Sequence, residues 1–454
     1  MSGGPTVIET MAGELLAMRA ETVSPDVLDK AIICLADYFS AAYEARALPW
    51  ARQAVGRVGA ANAGAASIPL DAYCSPGDAA FANAVAAHGL VREDMHVGSI
   101  AHLGIVVWPA LLAELAVVGR AVSGRELLAA AVAGYEAGAR LGSALMTAEL
   151  ARLFRPTGLV GPFAAVAALC QLRQLDAEQT ASALSLAVNC AAGLNQWPVA
   201  GGSEMYFQVG FAARNALVCA DLAASGAFAT RDVVEGDAGL FKAFGRRDPV
   251  KPSALCTNGH EILRVFHKQA PACNFAQTPS QAALAARLKL EGGSASVSAI
   301  RVDATQAALL YPGCDATGPF GTMLAAKMSI HFGVASAVAR GRIDGDNYAD
   351  LTDPEIMRLV GLTTLVADPD LSAAYPSRQP ARVTLTTIDG RQVSATLDDV
   401  EVATPEMVRS RFVSAATFAL GDSQAADLSH FVHALATIGD ASPLNSLQVR
   451  RNSL

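Results

Sequence analysis

The chain has 454 residues, of which 52% are hydrophobic and 17% are charged, and its formal net charge is −8. A chain of this length can form two or more domains with buried cores. Lysines and arginines do not cluster, so with this acidic balance we expect no nucleic acid partner. The eight cysteines contain no Cys-x-x-Cys pair, which is typical of buried thiols in a reducing compartment.

The first residues lack the basic start and apolar core of a signal peptide. The apolar run 105–118 is interrupted by Pro109 and Glu114, and it is too short to span a bilayer. We therefore expect a cytoplasmic protein that does not enter a membrane.

Segments rich in alanine, leucine and valine predict helices over most of residues 6–265. Ser123 and Glu126 form a capping box ahead of one apolar run, and Asp176 is a good N-cap for a helix that reaches Cys190. These helices lack a single polar face. They therefore favour a layered core or a subunit interface over a monomeric bundle.

The pattern changes after Phe266. Residues 297–302 alternate as a strand does, and residues 382–397 predict a hairpin that turns at Asp389 and Gly390. Between these segments, residues 319–340 predict one amphipathic helix.

Residues 405–438 return to a helical pattern. We therefore predict a mainly α fold with a large all-helical domain that is built from both ends of the chain. Residues 1–265 and 404–454 would form this domain, and residues 266–403 would form a smaller α+β lid domain inserted into it.

The segment 88–102 concentrates chemistry-bearing residues between two apolar helical segments. It holds three histidines and an acidic pair in a loop that contains glycine: His88, Glu93, Asp94, His96 and His102. Proton transfer needs groups that titrate near neutral pH on a loop with rigid flanks. The alternative is a solvated loop whose histidines have no function.

Other segments extend this pattern over nearly the whole chain. They are 155–163, 175–187, 208–215, 231–236, 268–273 and 326–332. In order and spacing these pieces resemble the MmgE/PrpD family, whose members are dehydratases, decarboxylases and epimerases of small carboxylic acids. The resemblance implies a helical domain, a lid domain and a homodimer.

The resemblance also implies catalytic roles for His102, Lys268, Tyr311 and Asp94. His102 takes the place of the loop histidine that transfers a proton; packing within the loop is the alternative. Lys268, near the domain hinge, would bind a carboxylate or stabilise an enolate-like intermediate. Tyr311 would donate a proton from the lid. Asp94 would orient His102 or a substrate hydroxyl, or else hold the loop or cap a helix.

Arg155 stands where the family commonly has histidine. An arginine cannot act as a base near pH 7, but it can grip a carboxylate through two hydrogen bonds, unless it is a surface residue. Thr157 would line the same wall.

In the segment 205–208, Met205 and Gln208 stand where the family has a lysine and a histidine. With Tyr206 beside Met205, the pocket is expected to be less polar than in the family. His96 is a weaker candidate for contact with the substrate.

Sequence motifs for nucleotide binding, for a nucleophilic serine and for a zinc protease are absent from the chain. We therefore predict a lyase without cofactor or metal, which removes a proton next to a carboxylate of a small acid and expels water or carbon dioxide. One alternative is an isomerase or epimerase that uses the same site. Another is a catalytically silent homologue that acts as a binding protein.

Overall fold

The computed structural model describes residues 4–249, 255 and 260–451, and its fold is mainly α, as predicted. Helices dominate the first part of the chain. They are α1 (Val7–Ala17), α2 (Pro25–Ala45), α3 (Pro49–Val55), α4 (Pro76–His88), α5 (Gly104–Leu115), α6 (Gly124–Leu145), α7 (Ala148–Leu153), α8 (Pro156–Arg173), α9 (Ala177–Val188), α10 (Trp197–Ala200) and α11 (Glu204–Ala224). Two predicted helix starts are confirmed, because Ser123 and Glu126 form the capping box of α6 and Asp176 caps α9.

Two short strand pairs interrupt this helical part and were not predicted. Strands β1 (Ala65–Ser67) and β2 (Ala72–Cys74) form an antiparallel hairpin. Strand β3 (Met95–His96) pairs with β4 (Val265–Phe266), which lies far away in the sequence. The second pair brings the histidine loop next to residue 268.

The following segment contains a mixed sheet and several helices. They are α12 (Asn274–Arg287), β5 (Val297–Ala304), α13 (Gln306–Leu310), α14 (Met323–Met328), α15 (Ile330–Arg340), α16 (Pro354–Gly361), β6 (Thr363–Ala367), α17 (Pro369–Ala373), β7 (Ala381–Thr387) and β8 (Gln392–Leu397). The strand order is β6-β5-β7-β8, with β5 and β6 parallel and the other pairs antiparallel. Helix α12 packs against β7, β8 and α15.

The predicted strand and hairpin in this segment are confirmed, and Gly390 takes a φ of 84° at the turn. The single helix predicted over residues 319–340 is wrong. Helix α14 begins only at Met323, and a break at Ser329 separates it from α15. The Ser329 hydroxyl accepts the backbone N–H of Phe332 and so caps α15, which explains the break.

The chain returns to helix at its end with α18 (Pro405–Leu420), α19 (Asp422–His433) and α20 (Pro443–Leu447). Gly421, with a φ of 85°, separates α18 from α19 within the helical stretch predicted for residues 405–438. Helix α18 packs against α2, so the two ends of the chain meet.

Buried apolar side chains form two clusters. The first draws on residues 7–265 and 403–447, and the second mainly on residues 270–395. The boundaries of the helical and lid domains stay a prediction, which these two clusters support.

In the part of the chain that the structure describes, the helices are too short or too polar to cross a membrane. The cysteines there are free thiols, and most of them are buried. Cys256 lies outside the described residues.

Candidate active site

The loop between α4 and α5 forms one wall of the candidate site. It is fixed at one end by His88, the last residue of α4, and in its middle by the pairing of β3 with β4. Val91 and Ile100 have φ values of 59° and 52°, a region that β-branched residues rarely adopt. Such strained backbone is often found at functional sites, and both residues line the pocket described next.

A narrow pocket lies between this loop, the start of α8 and the segments that begin at residues 268 and 311. Its lining residues are Val91, Met95, Ile100, His102, Arg155, Met205, Lys268, Cys273, Asn274, Phe275, Tyr311 and Met328. Five of the predicted site residues are therefore brought together, although they come from distant parts of the chain. The free volume of about 20 Å³ leaves room for about one water molecule.

His102 is held by its backbone and by one ring nitrogen. Its backbone N–H donates to the Thr157 hydroxyl at 3.0 Å, and its Nδ1 lies 2.8 Å from the backbone oxygen of Asp94. Nδ1 therefore carries the proton and donates it to that carbonyl, and Nε2 keeps a free lone pair. Burial and the cations Lys268 and Arg155 hold the pKa of His102 well below its usual range. The imidazole is consequently neutral at pH 7 and suited to accept a proton.

Arg155 is buried and held by a chain of polar contacts. Its Nη2 donates to His88 Nε2 at 3.0 Å, and His88 Nδ1 lies 2.5 Å from Glu93 Oε1. The guanidinium also lies over the ring of Trp197, 5.8 Å from its centre. Within the described residues, the buried Nε of Arg155 has no hydrogen-bond partner. The guanidinium is thus fixed in place with a donor still available.

Glu93 and His88 were not among the predicted site residues. Burial raises the pKa of the Glu93 carboxyl, but His88 and Lys268 outweigh it and hold that pKa below its usual range. A carboxylate followed after nine residues by His102, within an apolar region, was the signal available in the sequence. It did not reveal that Glu93 would lie among the cations instead of in water.

Lys268 and Tyr311 also line the pocket. The Lys268 ammonium is fully buried and donates to the backbone oxygens of Val91 at 2.9 Å and Ala272 at 3.3 Å. Burial lowers the pKa of Lys268, and the nearby Glu93 opposes this shift. Burial raises the pKa of Tyr311, so that its hydroxyl keeps its proton at neutral pH. The pocket therefore holds a base, an acid and two cationic groups.

Other predicted site residues lie outside this lining. The Asp94 carboxylate accepts from the backbone N–H of Gly104 and from the Tyr135 hydroxyl, and burial raises the pKa of Asp94 to about 7. Only its backbone oxygen reaches His102. His96 contacts Glu261 at 2.9 Å instead of facing the pocket.

Thr157 and Tyr206 also stand behind the pocket wall. The Thr157 hydroxyl positions the backbone of His102, as described above. Tyr206 is buried and stacks on Trp50, with ring centres 4.0 Å apart, whereas the adjacent Met205 reaches the pocket. The amide of Gln208 donates to the backbone oxygen of Leu194.

The chain is similar to the two domains of a known protein family. Residues 9–253 match the MmgE/PrpD N-terminal domain, and residues 270–410 match the MmgE/PrpD C-terminal domain. The chain belongs to the MmgE/PrpD family. The predicted resemblance is thereby confirmed.

Among curated MmgE/PrpD relatives, cis-aconitate decarboxylase of Aspergillus terreus is 29% identical over 245 residues, which are 52% of this chain and 50% of the relative. The cis-aconitate decarboxylase-like protein oryM of Aspergillus oryzae is 29% identical over 260 residues, which are 53% of this chain and 52% of that protein. The matched region thus spans about half the length of these relatives.

Within the described residues, no group of three or more histidine, cysteine, aspartate and glutamate side chains is arranged to hold a metal ion. That this MmgE/PrpD protein works without metal or cofactor stays a prediction.

Proposed function

We propose that the protein is a cofactor-independent lyase that removes a proton from the carbon next to a carboxylate of a small organic acid. The observation that carries this proposal is the neutral His102, which lines a pocket together with Lys268 and Arg155 and whose Nδ1 is the ring nitrogen that donates to a backbone oxygen, so that Nε2 is the one left to accept a proton. Two cations can hold the carboxylates of an acid and stabilise the negative charge that develops as the proton leaves. Tyr311, which lines the same pocket, supplies a proton.

In a dehydration, Nε2 of His102 takes the proton, and the electron pair of the broken C–H bond forms a carbon–carbon double bond. The bond to the leaving hydroxyl breaks, and the Tyr311 hydroxyl protonates this group so that water departs. In a decarboxylation, the carbon–carbon bond to a carboxylate breaks without prior removal of a proton, carbon dioxide departs, and the carbanion that remains takes its proton from the Tyr311 hydroxyl. Lys268 and Arg155 neutralise charge in either reaction.

The alternative reaction class is isomerisation or epimerisation. It is favoured by one observation, namely that His102 and Tyr311 line the same pocket, so that one can remove a proton and the other return it. Dehydration and isomerisation share the removal of a proton as their first step. In the dehydration a hydroxyl then leaves as water, whereas in the isomerisation the proton returns to the molecule and no group is lost.

A proton NMR experiment in deuterated water tests the proposal and separates these classes. The purified protein is incubated with a panel of dicarboxylic, tricarboxylic and apolar monocarboxylic acids, which a thermal-shift screen first ranks by binding. Loss of water or carbon dioxide supports the lyase. Deuterium uptake without such loss supports the isomerase. Binding without turnover or exchange would support the catalytically silent binding protein.

We also propose a substrate with fewer charges or a bulkier apolar group than 2-methylcitrate or cis-aconitate, since Arg155 and Met205 replace a histidine and a lysine of the family. Arg155→Ala should raise KM for the best acid roughly ten- to hundredfold, because a charge-assisted clamp contributes mainly to binding. Arg155→Lys keeps the charge but cannot form the bidentate hydrogen bonds of a guanidinium, so it should recover only part of the affinity that Arg155→Ala loses. Turnover of cis-aconitate at the rate of the best acid would contradict this reading.

The homodimer implied by the family is part of the proposal. Phe211, Val218 and Leu222 are about half exposed and follow one face of α11. A second copy of the chain would cover this apolar stripe, and the mass of the protein in solution tests it. We propose a cytoplasmic location, which the free thiols support.

A further inference from the structure

A second cavity adjoins the catalytic pocket. Its volume is about 250 Å³, more than ten times the free volume of the pocket itself. Ile100, Phe275 and Tyr311 line both spaces, so these three residues form the boundary between the pocket and the larger cavity. The pocket of about 20 Å³ is too small for a whole organic acid, so the rest of an acid bound at His102 would have to pass these residues into the larger cavity.

The walls of the larger cavity are mainly apolar. Phe275 lies between two tyrosine rings, with its centre 5.3 Å from that of Tyr311 and 5.9 Å from that of Tyr375. Alanines of α7 and α13 and the side chain of Leu310 complete the walls. Leu310 is 61% exposed, which leaves apolar surface in water that a ligand could cover.

Charge is present only at the rim among the described residues that line this cavity. Glu149 and Arg152 are exposed, whereas the buried cations Lys268 and Arg155 belong to the catalytic pocket. A third carboxylate of a substrate would lack a buried cation here, and desolvating it would be unfavourable. An alkyl or aryl group would gain free energy by leaving water.

We propose that this cavity binds an apolar substituent of the substrate, and that the substrate class is a mono- or dicarboxylic acid with an alkyl or aryl chain. The inference rests on the proposed function, because it places the carboxylate end of the same molecule beside His102 and Arg155. It adds a specificity site formed jointly by α7, α13 and the residue Tyr375.

Calorimetric titration of the whole protein with methyl-, butyl- and octylsuccinate tests this site. Each methylene that enters an apolar cavity contributes about 0.8 kcal/mol, so affinity should rise about fourfold per carbon until the cavity is filled. Leu310→Asp places a charge in the wall, and it should lower the ratio of octyl to methyl affinity by at least about tenfold. Leu288→Asp changes a leucine that is 84% exposed and outside the cavity, so it should keep the wild-type ratio.

Equal affinity for the three acids, or weaker binding of the longer ones, would overturn the inference. An unchanged ratio in Leu310→Asp would overturn it as well. Deuterium exchange separates this failure from that of the proposed function. If some acid exchanges its proton but chain length has no effect, only the apolar site is wrong; if none of the acids binds or exchanges, both proposals fail.

Discussion

Replacing His102 with glutamine should lower kcat by about two to four orders of magnitude, which is the usual contribution of a general base. The glutamine amide can still donate to the Asp94 carbonyl, but it cannot accept a proton as Nε2 does. The fold should survive, because among the described residues the ring makes polar contacts only with the Asp94 carbonyl and, at 3.3 Å, with the Glu93 carboxylate, and the glutamine amide can donate to either. Steady-state rates with the best acid, together with the melting temperature, measure the two effects separately.

The pH dependence distinguishes a base from a residue that only packs. Since burial and the neighbouring cations lower the pKa of His102, the neutral form persists below pH 6.5. We therefore expect wild-type kcat/KM to stay level as the pH falls through 6.5, and to decrease only at more acidic pH. His102→Ala should be partly rescued by added imidazole, whereas wild-type turnover in His102→Gln would remove His102 from the mechanism.

Local features of the fold could be predicted because they depend on neighbouring residues. The capping box at Ser123, the cap at Asp176 and the turn at Gly390 each need only a few adjacent side chains or one backbone conformation. The break at Ser329 is local as well, but the apolar pattern continues through it and indicated a single helix. The helical spacing of the apolar residues outweighed the indication from one serine that a new helix begins there.

Long-range contacts limited what could be predicted of the site. The strand pair that joins Met95 to Phe266 connects residues that sequence patterns do not relate. The contact between Arg155 and His88 likewise joins residues 67 positions apart, and it places His88, the last residue of α4, behind the candidate clamp. The family resemblance supplied Lys268 and Tyr311 as partners of His102, and their roles stay predictions.

Asp94 is the residue whose role in the structure differs most from the predicted one. The sequence pattern allowed its carboxylate to orient His102, but that carboxylate binds the start of α5 and Tyr135. The backbone carbonyl of the same residue performs the orientation instead. Every residue type has a backbone carbonyl, so this contact could not be inferred from the identity of the residue.

The second large effect is expected at Lys268. Lys268→Met should lower kcat by about two to three orders of magnitude, comparable to the removal of an oxyanion-stabilising donor, because the developing charge loses its nearest buried ammonium. The substitution also frees two backbone oxygens that the ammonium contacts, so some loss of stability is expected too. Kinetics and thermal unfolding of the same preparation are therefore needed.

Lys327 offers a matched control for this change. It is also buried, its ammonium donates to the backbone oxygen of Leu90 at 3.0 Å, and burial lowers its pKa to about 7, but it does not line the pocket. Lys327→Met should therefore reduce the melting temperature to a similar extent and lower kcat far less than Lys268→Met does. Equal losses of kcat in the two variants would mean that Lys268 supports the loop at Val91 without acting on the substrate.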